Sequence, residues 1–132
     1  MNNQLSQNLI IAEEAYKKKN YLKSYSIYKS TYRRYNLIDI LPRLIDIAFI
    51  SLKQTDTKLN LISNLITLGL YNNTENKVLT ELNYLNLKLL REFKKFSDFD
   101  KLYYSITPEQ RNFTFTEFEY FHYLLETENY SK

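Results

Sequence analysis

The chain has 132 residues with one glycine, two prolines, no cysteine and no tryptophan, beside thirteen tyrosines and eight phenylalanines. This length fits one domain with a real core, and so little glycine and proline argues against β-sandwiches and glycine-rich α/β folds. The net charge of +3 is uneven: residues 1–36 hold seven basic and two acidic groups, residues 107–132 two basic and five acidic.

Without cysteine there is neither a disulfide framework nor a thiolate metal site. The start, MNNQLSQNLII, lacks the basic region and apolar core of a secretory signal. No apolar run reaches the roughly 18–20 residues that span a bilayer. The expectation is a soluble cytoplasmic protein with no membrane partner.

Apolar residues recur at helical spacing throughout, which predicts an all-α fold. The first helix runs from about Leu5 to Lys18, with Leu5, Leu9, Ala12 and Tyr16 on one stripe and Ala15 beside it. Lys17, Lys18 and Lys19 suit its negative end. A turn at Lys19-Asn20-Tyr21 leads into a second helix, Tyr21 to Tyr35. There Tyr21, Tyr25, Tyr28, Tyr32 and Tyr35 share one face, and Ser24 and Thr31 flank Tyr28 where a partner helix can come close.

The third helix starts near Asp39, with Pro42 tolerated in its first turn. Ile40, Leu41, Leu44, Ile45, Ala48, Phe49 and Leu52 make it apolar around most of its circumference, hence central. After a polar turn from Lys53 to Thr57, a fourth helix over Leu59 to Leu70 is expected to be mostly buried. A turn at Tyr71-Asn72-Asn73-Thr74 precedes the fifth and longest helix, whose stripe is Val78, Leu82, Leu85, Leu89, Phe93 and Phe96.

Ser97 to Leu102 then repeats the turn grammar of Lys19 to Ser24, with Phe99 standing for Tyr21, Leu102 for Ser24 and Ile106 for Tyr28. Thr107-Pro108-Glu109-Gln110 reads as a capping box, and Thr116-Glu117-Phe118-Glu119 as a second. A short and a longer helix should therefore fill about 108–128. The expected core is Ile45, Ala48, Phe49, Ile62, Leu65, Leu82, Leu85 and Leu89.

Ala12, Ala15-Tyr16, Lys19-Asn20-Tyr21, Ser24 and Tyr28 together resemble one tetratricopeptide repeat. Lys19 stands where that family prefers glycine, and Asn36 where it prefers proline. The resemblance implies a right-handed stack of antiparallel helix pairs, six or seven helices in all. The pairs would fall at about 5–36, 39–71 and 75–106, in a single domain over 1–132. It also implies a groove lined by the first helix of each pair, with Asn8, Glu13 and Lys17 as candidates. Ala12 to Tyr35 is similar, too, to the short start of some bacterial capsule-polymer glycosyltransferases. That likeness would make the chain a regulatory or assembly segment of a larger enzyme.

Little here can do chemistry. His122 is the single histidine, so no two-histidine metal site can form within one chain. One glycine cannot build a phosphate-cradling loop. Asp98-Phe99-Asp100 matches a metal-binding D-x-D, but it opens a helix, where acids serve the positive dipole end. Glu117 and Glu119 read as helix-start acids on a solvated face. No catalytic residue, cofactor or metal is expected, and the chain should not be an enzyme.

The expected function is protein or peptide binding, the generic use of stacked helix pairs. One candidate surface is the basic set Lys17, Lys18, Lys19, Lys23, Lys29, Arg33 and Arg34, suited to an acidic partner. Nucleic acid is the weaker reading, because the tyrosine stripe looks internal. The other is the C-terminal aromatic segment with Phe118, Tyr120, Phe121 and Tyr123, through which a symmetric homodimer is expected. A small phage or mobile-element protein that blocks a host factor is a third reading.

Overall fold

The computed structural model describes residues 3–35, 37–53, 55–72 and 75–131. Among them the chain is all-α, with eight α-helices, one 3-10 turn and no strand. The helices are α1 (Asn3–Lys17), α2 (Tyr21–Tyr35), α3 (Leu41–Ser51), α4 (Asp56–Asn72), α5 (Asn76–Glu92), α6 (Phe96–Ser105), α7 (Pro108–Arg111) and α8 (Thr114–Ser131). The 3-10 turn, Ile38–Ile40, leads into α3. The chain divides into two compact units, Met1–Asn73 and Thr74–Lys132. Asn36, Asn73 and Thr74, which figured in the sequence reading, lie outside the described residues.

In the first unit α1 packs on α2, α2 on α3 and α3 on α4. Helix α1 stops because Lys19 adopts a left-handed backbone, φ 63°. The Lys19 N–H then donates to the Tyr16 carbonyl at 3.0 Å, and the Asn20 N–H to the Ala15 carbonyl at 2.8 Å. These two bonds satisfy carbonyls that a helix end leaves orphaned. Beyond the turn, Ala12 and Ser24 are fully buried, and the Ser24 hydroxyl donates to the Ala12 carbonyl at 2.8 Å. Small side chains let the two backbones come that close.

Helix α3 is central as expected, with Leu41, Leu44, Ile45, Ile47, Ala48 and Phe49 all buried. Helix α4 is not mostly buried. Its covered stripe is Lys58, Ile62, Ile66 and Gly69, while Leu65 is half-buried and Leu68 exposed. Ile66 thus takes the core place expected of Leu65, a rotation of about 100° for one residue. The other seven expected core residues are buried.

In the second unit α5 packs against α6 and α8, and α7 against α8. Helix α5 ends at Glu92 and does not carry Phe93 and Phe96 onward. Lys94 is left-handed, φ 57°. Its N–H donates to the Arg91 carbonyl at 2.9 Å, and the Lys95 N–H to the Leu90 carbonyl at 2.8 Å. This is the turn that ends α1, bond for bond. It corrects the expected register by three residues: Phe96 answers to Tyr21, Phe99 to Ser24 and Tyr103 to Tyr28. The junction of α3 and α4 lacks the turn, since Leu52 is extended there (φ −98°, ψ 146°).

Phe99 and Leu87, the counterparts of Ser24 and Ala12, are fully buried and form a core with Ile106 and Tyr123. Phe99 stacks on Tyr123 with ring centres 4.2 Å apart, and Tyr103 on Tyr120 at 4.0 Å. The first expected capping box forms: the Gln110 N–H donates to the Thr107 hydroxyl, and the Thr107 N–H to the Gln110 side chain, both at 3.2 Å. The second does not. Helix α8 already begins at Thr114, so Thr116 lies inside it, buried, with no hydrogen-bond partner for its hydroxyl.

Candidate functional sites

The α2 helix contains no acid, and the nearest acidic residues along the chain are Glu14 and Asp39. Its inward side buries Ser24, Tyr28, Thr31 and Tyr32, while Tyr21, Tyr25 and Tyr35 are half-buried. The tyrosine stripe is therefore internal. The Tyr28 hydroxyl donates to Glu13 at 2.7 Å, and the other Glu13 oxygen accepts from Arg43 at 3.3 Å. The Arg43 guanidinium in turn lies 4.3 Å from the Tyr16 ring centre. Burial, reinforced by the Glu13 carboxylate, pushes the Tyr28 hydroxyl up to about 12. Glu13, expected beside a groove, is instead a strut between α1, α2 and α3. Asn8 accepts a bond from Gln4 at 2.9 Å, and Lys17 is exposed.

The basic residues separate into two groups. Lys17, Lys18, Lys19 and Lys23 stand exposed around the α1–α2 turn. Arg33 and Arg34 lie about three turns, or roughly 15 Å, further along α2. Together with Lys29, Tyr25, Ser26 and Ser30 they surround an open depression of about 570 Å³. The Lys29 ammonium sits 5.7 Å from the Tyr25 ring centre and the Arg34 guanidinium 5.4 Å from that of Tyr35. Among the described residues, Lys29, Arg33 and Arg34 make no ion pair. Burial pushes the Tyr25 hydroxyl up, with the Arg33 charge opposing it.

On α8 the aromatic candidates fall on opposite sides. Tyr123 is buried and Tyr120 half-buried, both packed toward α6 and away from the outward face of the helix. A hydrogen bond shared with Tyr104, then burial, push the Tyr120 hydroxyl up to about 12. Phe118 and Phe121 are 59% and 58% exposed, and with Thr114 and Glu117 they line a depression of about 420 Å³. His122 is exposed beside them, its ring centre 6.3 Å from that of Phe121. Asp98 and Asp100 are exposed on α6, Asp98 in its first turn.

Two charged sites had no sequence signal strong enough to single them out. Arg91 on α5 pairs with Glu119 and, at 3.0 Å, with Glu126, which ties α5 to α8. Glu119 is buried by this contact and does not lie on a solvated face. Lys58 is 4% exposed, and its ammonium donates to the Phe49 carbonyl at 2.8 Å. Its spacing to Ile62 and Ile66 places it on the apolar stripe, which was the available clue.

Among the described residues no group of three His, Asp or Glu side chains could hold a metal ion, and no helix is long and apolar enough to cross a membrane. Compared with protein families, with curated proteins and with solved structures, the chain matches none.

Proposed function

We propose that the chain is a non-enzymatic, tetratricopeptide-like helical protein that binds an acidic polypeptide segment along the outward face of α2. The observation that carries this reading is the depression framed by Lys29, Arg33 and Arg34, three cations that make no ion pair among the described residues, on a helix without acids. Ser26 and Ser30 add hydroxyl donors between them. Arginine suits carboxylates because its planar fork donates two parallel hydrogen bonds.

A nucleic-acid ligand fits less well. Single strands are gripped by stacking bases on exposed aromatic faces, whereas the α2 rings are buried or half-buried, and cations lie against Tyr25 and Tyr35. The support for a tetratricopeptide-like character is the left-handed turn at Lys19 with the close Ala12–Ser24 approach.

Fluorescence anisotropy with a labelled oligoglutamate peptide tests the reading. Binding should weaken steeply with salt and fall at least tenfold in Lys29→Gln/Arg33→Gln/Arg34→Gln. Removing the same charge in Lys17→Gln/Lys18→Gln/Lys19→Gln should leave most of it. Equal loss in both variants, or tighter binding of a single-stranded oligonucleotide, would defeat the proposal.

A further inference from the structure

Four tyrosines meet where ring contacts join α6 to α8. Tyr103 lies against Tyr120 with ring centres 4.0 Å apart and planes within 7° of parallel. That is closer than the roughly 4.5–7 Å of most aromatic pairs. Tyr104 stands beside Tyr103, centre to centre 5.3 Å, and its hydroxyl is 3.3 Å from that of Tyr120. Tyr123 follows 6.0 Å from Tyr120 and stacks on Phe99 at 4.2 Å.

We propose that Tyr103 and Tyr120 are an oxidative modification site, where a one-electron oxidant joins the two rings through a carbon–carbon bond. The product is a dityrosine staple between α6 and α8. It goes beyond the acidic-ligand reading and involves neither α2 nor its cations.

Composition makes tyrosine the target. The chain has no cysteine, no tryptophan and a single methionine, Met1. Apart from Met1, no thiol, thioether or indole competes for the oxidant.

The arrangement supplies a route for both electron and proton. Tyr104 is 62% exposed and touches Tyr103 through its ring and Tyr120 through its hydroxyl. An electron taken from Tyr104 is replaced from either neighbour, across gaps that electrons cross readily between aromatic rings. The proton has to leave with the electron, because these phenols stay protonated. The hydrogen bond shared with Tyr104, then burial, push Tyr120 up to about 12, and burial pushes Tyr103 up as well. Through that shared bond the Tyr120 proton reaches the exposed side.

The coupling balances without a further reactant. Each phenol gives one electron to the oxidant and one proton to water, which leaves two phenoxyl radicals. Their unpaired electrons reside on the oxygen and on the ring carbons ortho and para to it, and two ortho carbons pair them as one new bond. Each bonded carbon then sheds its hydrogen as a proton, while each oxygen regains one and the rings become aromatic again. Two tyrosines thus yield one dityrosine, two electrons and two protons.

Geometry selects the pair. The ring centres of a directly bonded biphenol are separated by nearly the distance already present between Tyr103 and Tyr120, so the rings must tip but the helices need not part. Tyr104 meets Tyr103 edge-on at 85°, and Tyr123 gives its face to Phe99.

Photo-oxidation with a ruthenium tris-bipyridine complex and persulfate, at low chain concentration, withdraws electrons one at a time. Cleavage after Lys101 and Arg111 separates peptides 102–111 and 112–132. Mass spectrometry should find these two joined and two hydrogens lighter, with the fluorescence of a biphenol. Tyr103→Phe, and separately Tyr120→Phe, should lose most of this product with helix content unchanged by circular dichroism. Tyr123→Phe, in the same peptide as Tyr120, and Tyr84→Phe should keep it. A joined product that persists in Tyr103→Phe or Tyr120→Phe overturns the proposal. So does oxidation that consumes tyrosine without joining these peptides, or an equal yield from the chain unfolded in urea. None of these results bears on oligoglutamate binding at α2, so the two readings fail separately.

Discussion

Lys19 and Lys94, in different units, adopt the same left-handed backbone, φ 63° and 57°, and each closes a helix with the same pair of hydrogen bonds. Neither position holds the glycine that such a turn favours. For a residue with a Cβ this conformation costs roughly 1–2 kcal/mol, offset in part by the extra entropy glycine gives the unfolded chain. Lys19→Gly and Lys94→Gly should therefore each raise stability, by about 0.5–1 kcal/mol. Urea unfolding with an unchanged m-value checks this. A β-branched residue at either place should lower it.

The positions that answer to one another beyond the turn should respond in opposite ways. Ser24→Leu forces bulk between two touching backbones and should cost roughly 1–3 kcal/mol. Phe99→Ala opens a cavity among Leu87, Ile106 and Tyr123 and should cost about 3–5 kcal/mol. Lys29→Leu, on the outward face of α2, should be nearly silent. Thermal or urea unfolding of the three variants measures the contrast.

Arg91 and Glu119 form a partly buried pair, with Arg91 and Glu119 side chains 17% and 8% exposed. Removing one partner leaves the other desolvated without its counter-charge, and Glu119→Leu or Arg91→Met should cost about 2–4 kcal/mol. The double variant should cost less than the sum, since only Glu126, whose side chain is 35% exposed, is left without its counter-charge. A double-mutant cycle that proved additive would show the pair to be energetically inert.

Alkali should unfold the protein through its tyrosines. Tyr28 and Tyr120 are both pushed up to about 12 in the folded chain, the first chiefly by burial, the second chiefly by the Tyr104 hydrogen bond. A folded-state value above the unfolded one means that folding favours the protonated phenol. That stability is fully present below about pH 10 and is lost as pH rises toward 12. Tyrosinate absorbance should accordingly show an early class of tyrosines and a late class that ionises together with loss of helical circular dichroism. Tyr28→Phe should not abolish the transition but should shift it, because one of the late-ionising phenols is gone while Glu13 keeps its bond from Arg43.

The sequence showed what apolar periodicity can show. The five tyrosines of α2, the crowded α3 and the Thr107 capping box were legible because spacing and local chemistry dictate them. The end of α5 was not, because Phe93 and Phe96 continue an apolar stripe while the break depends on the backbone of Lys94. Nor was the facing of α8: aromatics occupy both sides, and only the rings of Phe99 and Tyr103 decide that Tyr120 and Tyr123 turn inward. The basic cluster was visible as composition, but its split into a turn group and the Lys29–Arg33–Arg34 group needed the helix axis. Arg91 and Glu119 were hidden for a simpler reason, since ion pairs distant in sequence leave no periodic trace.

The matching turns sit beside unequal spacers. Where α1 and α2 meet, alanine and serine bring the chains within a hydroxyl's reach; where α5 and α6 meet, leucine and phenylalanine hold the same places. The two helix pairs are thus not interchangeable parts. A chimera that grafts α6 after α1 would inherit a compatible hinge and still jam, with a phenyl ring driven against Ala12. The reverse graft, α2 after α5, would close its hinge equally well and leave a hollow behind Ser24. Recombination at these hinges therefore calls for exchanging each helix together with its mate.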